Sequence, residues 1–344
     1  MPKGPLKTCS RLRRVLPCLL ACTLAACAGL APASGAFEAL DLPRGGYQPI
    51  DETLPQVLIV VAHPDDELIA AGLTYLHGAC AGGVVDVLTI TDGQGGFKYA
   101  SLAEALTGIE LTREEVGREA LPRIRREEQM RGLTFLGARR LIRLGQPDHR
   151  YSQDRMEVLA PDAGVWDLAG VRRRIDDLLE AGRYEIVITI SPTATTHGHH
   201  QAAALLAVEG AARRPHHQRP VILCCEVEPE DSEGVGLPPE VLEDTLLARL
   251  RPGAAPFVVD RTRGFGHRDR LTLKAVASVA VAQHVSQGTM LGYIGRGDLE
   301  EYWILDASPP DASSRAEAFF RALEELPALP VRRYDASAGT NAGR

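Results

Sequence analysis

Aromatic residues are scarce in this chain, with 7 Phe, 8 Tyr and 2 Trp among 344 residues, whereas 33 Gly and 23 Pro are plentiful. That balance is ordinary for an α/β enzyme. An excess of positive charge is also missing. The formal net charge is −7, and residues 1–26 hold Lys3, Lys7, Arg11, Arg13 and Arg14 with no acid. Removing those five charges leaves −12 on the remainder, which repels nucleic acid and anionic lipid head groups, so neither is an expected partner. Cysteines at metal-ligand spacing are absent too. Four of the seven (Cys9, Cys18, Cys22, Cys27) precede residue 28, and Cys80, Cys224 and Cys225 read as small buried side chains. A disulfide from Cys80 is the alternative in an oxidising compartment. There is no internal repeat and no coiled-coil heptad.

The longest early apolar run, Val15 to Ala26, is too short for a mature membrane span. Behind its basic start it reads as an export signal. It ends in Leu24-Ala25-Ala26-Cys27, similar to the lipobox of bacterial lipoproteins, in which cleavage precedes a lipidated Cys. An ordinary secretory signal cut near Ser34-Gly35-Ala36 is the alternative. For a bacterial chain either leader places the protein outside the cytoplasm, with lipidated Cys27 as its only membrane attachment. Residues 27–52 are small and aperiodic, as expected of a tether followed by a docking segment.

From Val57 the pattern changes. Val57 to Val61 is a continuous apolar run, as a strand buried on both faces requires. A helix is expected over 68–81, a strand over 84–91, and a polar active-site loop or lid over 101–117. A helix over 121–136 closed by Gly137, a strand over 140–144, and a helix over 168–181 follow. Then come a strand over 185–190, a helix over 200–213, a strand over 221–227, and a late helix over 271–284. Alternation of this kind implies an α/β fold with a mostly parallel sheet and helices on both faces. The main domain is assigned to 53–290. Residues 291–344 form a less regular C-terminal extension whose end, after Tyr334, is expected to be disordered.

Ligands in open α/β sheets bind beyond the carboxyl ends of the strands. The chemically rich segments all fall there: His63–Glu67, Asp92–Gly96, Gly145–His149 and Ser191–His200. In His63-Pro64-Asp65-Asp66-Glu67 one His and two carboxylates supply ligands of the kind zinc accepts, with one acid left for proton transfer. The alternative is a turn in which Asp65 or Asp66 only caps a helix. Thr195-Thr196-His197-Gly198-His199-His200 puts three His within four residues, where the alternative is a solvated cluster. Paired, the two segments make a three-ligand site with a fourth position open to water, the composition of a catalytic centre.

Ala62-His63-Pro64-Asp65-Asp66-Glu67 after an apolar strand, with His197-x-x-His200 far downstream, resembles the LmbE-like (PIG-L) N-acetylglucosaminyl de-N-acetylases. Thr91 to Gly96, Arg125-x-x-Glu128, Gln146-Pro147-Asp148 and His284-x-Ser286-Gln287 extend the likeness over roughly residues 55–290. The resemblance implies a Rossmann-like fold and a divalent metal, usually zinc, on His63, Asp66 and His200. It makes Asp65 the general base and places His197 to stabilise the oxyanion or protonate the leaving amine. Ferrous iron also suits that donor set. The chain departs from the frequent His-Pro-Asp-His wording, because Gly198-His199 replaces Pro-Asp. His199 therefore rivals His200 as ligand, with His200 favoured, and Gly198 is expected to widen the approach to the metal.

Asp92, Arg125 and Asp148 are candidate substrate-binding residues. For each a structural alternative stands: a turn held by Asp92, a buried Arg125–Glu128 pair, and an Asp148 that orients a ligand His or caps a loop. His77, His149 and His267 read as surface or satisfied residues, and His216-His217 as solvated loop. His284 either bonds near the site or ends its helix as a cation. The expected activity is removal of an N-acetyl group from an amino sugar or its conjugate. A glycan-binding lipoprotein without catalysis and a metal amidase acting on a non-sugar amide are the alternatives. The sequence does not set the oligomeric state.

Overall fold

A computed structural model describes residues 37–293 and 297–326. The leader, Cys27 and the chain end after Tyr334 lie outside the described residues.

The strands are β1 (Glu38–Asp41), β2 (Gln56–Val61), β3 (Val85–Thr91), β4 (Arg140–Gln146), β5 (Tyr184–Ile190), β6 (Val221–Glu228), β7 (Phe257–Asp260), β8 (Gly264–Phe265), β9 (Leu271–Thr272) and β10 (Leu299–Ile304). The helices are α1 (Ala71–Tyr75), α2 (Ser101–Thr107), α3 (Glu114–Leu136), α4 (Met156–Leu159), α5 (Leu168–Ala181), α6 (Gly198–Arg213), α7 (Leu273–Val281) and α8 (Ala312–Glu324). Eight strands form one sheet in the order β1-β4-β3-β2-β5-β6-β10-β7, and β8 pairs with β9. The five from β4 to β6 run parallel, while β1, β10 and β7 join antiparallel to their neighbours. The expected α/β, mostly parallel architecture is the one observed.

Strand β2 shows why the centre is buried on both faces. Val57, Ile59 and Val61 pack into one core with Leu73, Leu133, Leu136 and Phe319. Leu58, Val60 and Ala62 pack into the other with Val171, Ile175, Leu206 and Trp166. A period of two that is apolar on both phases produces this sandwich. Strand order reverses at β2, whose neighbours are β3 and β5. That topological switch point opens the crevice in which α/β sheets bind ligands.

Several elements differ from the sequence expectation. The helix over 68–81 is divided into a 3-10 turn (Asp66–Ala70), α1 and a π-turn (Leu76–Cys80). The polar stretch 101–117 contains α2 and the first turn of α3 instead of an open loop. Helix α3 starts at Glu114, ahead of the expected 121, and runs through Pro122. Within the stretch read as a tether, Glu38–Asp41 pairs with β4, and Glu38 Oε1 lies 2.9 Å from Arg126 Nη1. The region expected to be less regular supplies β10, inside the sheet, and α8, whose Phe319 and Phe320 enter the core. Cys80, Cys224 and Cys225 are free thiols. Among the described residues no helix is long and apolar enough to cross a membrane.

His77 is buried, and its Nε2–H donates to Pro55 O at 2.7 Å. Burial lowers its pKa to about 4, against a small opposing pull from that hydrogen bond. The unfolded chain, with an ordinary His near 6.5, binds more protons between those values, so stability falls as pH drops from about 6.5 towards 4. The full window is worth up to about 3 kcal/mol. Denaturant unfolding of wild type and His77→Gln between pH 7 and 4.5 should show a flatter pH dependence in the variant. Parallel curves would contradict this assignment.

Candidate metal centre and active site

The turn after β2 carries the first donors. Asp65 sits at φ 121°, a left-handed conformation that is strained for a side chain with a Cβ. Its neighbour Asp66 turns back, so that its Oδ2 accepts the His63 backbone N–H at 2.7 Å. The other donors come from the start of α6, beyond β5 on the far side of the switch point. His63 Nδ1 lies 3.2 Å from Asp66 Oδ2 and 3.1 Å from His200 Nε2, and His200 Nε2 lies 3.2 Å from Asp66 Oδ1. Thr196 Oγ1 is 3.0 Å from His200 Nδ1, so Nδ1–H donates there when Nε2 offers its lone pair.

Two imidazole nitrogens and a carboxylate drawn this close fit a small divalent ion. Ligands about 2.0 Å from a tetrahedral centre stand about 3.3 Å apart. The donor atoms of His63, His197 and His200 also lie within 4.8 Å of one another. Burial raises the Asp66 carboxyl, but His200 and His63 outweigh it and hold its pKa well below the usual range. Burial pulls His63 down, and Asp66 with Asp148 brings it above its ordinary value.

His199 does not join that cluster. Its Nδ1 lies 3.1 Å from the opposite nitrogen of His63, Nε2, and 3.5 Å from Asp148 Oδ1. His63 Nε2 is 3.8 Å from Asp148 Oδ1, so His63, Asp148 and His199 form a second buried donor group behind the first. The two rival histidines thus face opposite edges of one ring. Gly198 packs against residues 152–155: a Cβ there would stand 2.8 Å from the Asp154 carbonyl, and its N–H donates to Ser152 O at 2.6 Å. Close backbone packing, not a wider approach to the metal, accounts for this glycine.

Asp65 is buried beside the cluster. Arg125 Nη2 lies 3.0 Å from its Oδ2, and the same guanidinium donates to Pro64 O and Gly93 O. Gly93 is at φ 68°, and a Cβ there would lie 2.6 Å from Arg125 Nη1, so the turn after β3 needs glycine to admit this arginine. Burial lifts the Asp65 pKa to about 6 against the pull of Arg125, with Asp66 adding to the rise. Behind it Glu67 Oε2 accepts the Asp65 N–H at 2.9 Å, and Glu67 Oε1 faces His284 Nε2 at 3.2 Å. His284 thus faces the site from beyond the end of α7.

His197 stacks on His63 at 4.9 Å with 5° between ring planes, and Tyr151 stacks on His197 from outside at 4.9 Å. Its Nε2–H donates to Arg150 O at 3.1 Å. Burial, then the neighbouring imidazoles of His63 and His200, lowers its pKa to about 4. Asp92 is buried against Arg143 at 2.7 Å, and Glu128 accepts from Ser286 N and Oγ instead of pairing with Arg125. Asp148 also accepts from Gly95 N at 3.0 Å. Of the residues singled out in the sequence, His63, Asp65, Asp66, Asp148, His197 and His200 come together with Arg125. Asp92 is bonded inward through Arg143. His149, read as a surface or satisfied residue, is satisfied, with Nδ1 3.3 Å from His199 Nε2 and Nε2 3.0 Å from Glu157 Oε2. Its place beside Asp148, beyond the end of β4, is the signal that could have found it.

A donor cluster at the switch point of a parallel α/β sheet, with a buried acid beside it, defines a hydrolase with a centre suited to a divalent ion. Residues 58–211 match the family described as PIG-L, GlcNAc-PI de-N-acetylase. A probable N-acetyl-α-D-glucosaminyl L-malate deacetylase of Bacillus cereus is 25% identical over 227 residues, covering 63% of this chain and 92% of that protein. Among solved structures, a 4-carboxy-2-hydroxymuconate hydratase of Pseudomonas putida aligns at TM-score 0.48 and 17% identity, over 73% of this chain and 96% of its own. The N,N′-diacetylchitobiose deacetylase of Pyrococcus horikoshii aligns at TM-score 0.44 and 18% identity, over 73% and 84%. Residues 58–211 belong to the PIG-L (LmbE-like) de-N-acetylase superfamily.

Proposed function

We propose that the protein is a zinc-dependent hydrolase that removes the acetyl group from an N-acetylated amino sugar or its conjugate. The convergence of His63, Asp66 and His200 within 3.2 Å, with Asp65 free beside them, carries this reading. His63 Nδ1, His200 Nε2 and Asp66 would hold the ion, and ferrous iron suits the same donors. When bound, zinc supplies Lewis-acid polarisation of the acetamide carbonyl and acidifies water.

The chain's own groups do the rest. Asp65, ionised at neutral pH yet raised to about 6, is a base matched to taking the proton of the attacking water. Arg125 fixes its carboxylate by bonding both Oδ2 and the flanking carbonyls. His197, anchored through its Nε2–H on Arg150 O, stacks on His63 beside the donors. As the C–N bond breaks, the amine nitrogen takes the proton that Asp65 accepted from the water, and acetate is released. Arg125 and Asp92 act in this scheme by shaping the turns. Asp148 stands close enough to influence His63.

The B. cereus relative, a probable N-acetyl-α-D-glucosaminyl L-malate deacetylase, supports the substrate class. The leader-like residues 1–26 and the lipobox-like segment ending at Cys27 support export with lipid anchoring, which puts the substrate outside the cytoplasm. Acetate release from N-acetylglucosamine conjugates, with and without a chelator, tests the reading. Release that stops on chelation and returns with zinc is expected. Release indifferent to both chelation and Asp65→Asn would refute it.

A further inference from the structure

A row of histidines runs outward from the edge of His63 that faces away from Asp66 and His200. His63 Nε2 lies 3.1 Å from His199 Nδ1, His199 Nε2 lies 3.3 Å from His149 Nδ1, and His149 Nε2 lies 3.0 Å from Glu157 Oε2. Each link joins an Nε2 to the next group outward. The row ends on a carboxylate that Arg150 grips with Nε at 3.0 Å and Nη2 at 2.7 Å. That grip lowers the Glu157 pKa to about 2, so the carboxylate only accepts.

The direction of the row follows from its end. With Glu157 accepting, a neutral His149 must carry its proton on Nε2, which leaves Nδ1 as an acceptor. His199 then donates through Nε2–H and accepts at Nδ1. His63 in turn donates through Nε2–H, leaving its lone pair on Nδ1, the nitrogen that faces Asp66 and His200. The reversed set would point the His149 lone pair at a carboxylate and place N–H on His63 Nδ1. Trp166, 5.2 Å from His199, walls the row with apolar surface. His199 stands where the chain departs from His-Pro-Asp-His.

We propose that Glu157, acting through His149 and His199, fixes the tautomer in which His63 presents Nδ1 to the metal. Glu157, His149 and His199 are positioning residues, and the inference rests on the reading of His63 as a ligand. Loss of the hydrogen-bond partner behind a ligating His typically weakens metal affinity about 10–100-fold.

The test combines two measurements on the full chain. Two-bond ¹⁵N–¹H NMR of the histidines in the metal-free protein should show Nε2–H tautomers at His63, His199 and His149. Zinc affinity, from competition with a chelator, should fall about 10–100-fold in both Glu157→Gln and His149→Phe, at unchanged fold by circular dichroism. An Nδ1–H tautomer at His63, or affinities within threefold of wild type in both variants, would overturn the proposal. So would wild-type protein binding two zinc ions of which His199→Asn binds only one, because His63, Asp148 and His199 would then be a second metal cradle. His63→Ala separates the two readings: zinc bound as tightly as in wild type would refute His63 as a ligand, and with it the proposed function.

Discussion

Asp65→Asn is expected to keep zinc and lose about 10²–10⁴-fold in turnover, the range a positioned general base contributes. Asn matches Asp in shape and tolerates positive φ better than most residues, so the strained 121° turn survives. The metal is expected to stay because the proposed donors are His63, Asp66 and His200, not Asp65. Arg125 stays because it also donates to Pro64 O and Gly93 O. What disappears is the group that accepts a proton. Turnover and bound zinc should be measured on the same preparation. Turnover within tenfold of wild type at full metal content would remove Asp65 from the role of base.

Glu300→Ala is expected to destabilise the fold by about 3–5 kcal/mol, the cost of breaking a buried ion pair. Glu300 lies in β10, fully buried, and its carboxylate faces Arg261 Nε at 2.7 Å. It also accepts from Gly72 N at 2.5 Å and Leu73 N at 3.0 Å, two free donors at the start of α1, and from the Tyr302 hydroxyl at 2.6 Å. Truncation would leave the guanidinium and both N–H groups buried without their partner. Arg261 also donates to Leu68 O and Ile69 O, in the 3-10 turn directly after Asp65–Asp66. The loss should therefore lower zinc affinity as well as the denaturation midpoint. Urea unfolding is the measure, and a change below about 1 kcal/mol, the range of an ordinary surface substitution, would contradict it.

The same residue explains why the C-terminal part was illegible. Leu-Glu-Glu-Tyr-Trp-Ile mixes charge into a strand that ends up inside the sheet, where Arg261, directly after β7, and the N–H groups of Gly72 and Leu73 make the burial of Glu300 tolerable. Strand β1 was hidden for a similar reason: its burial alternates weakly, and Glu38 is held by Arg126 and Arg143 from elements far along the chain. Strands β2, β3, β5 and β6 were readable because continuous apolar runs leave few other solutions. Helix α2 was read as loop because only Ala103 of its seven residues is buried.

At the site, His63, Asp65 and Asp66 were readable from one turn, and His197 and His200 from one helix start. Their meeting needed only the switch-point rule. The links of His149 and Glu157 were not readable, since a hydrogen bond across 50 residues has no periodic signature. Nor could sequence say that His199 and His200, adjacent in the chain, would address opposite nitrogens of one ring.

The most direct test of the central assignment is X-ray absorption of the zinc-saturated protein, comparing wild type with His200→Ala and His199→Ala. Two imidazole nitrogens and carboxylate oxygen are expected at about 2.0–2.1 Å. One imidazole should be lost in His200→Ala, and the ligand set should be unchanged in His199→Ala. Loss of an imidazole in His199→Ala, with the His200→Ala spectrum unchanged, would move the metal to the other side of His63 and contradict it.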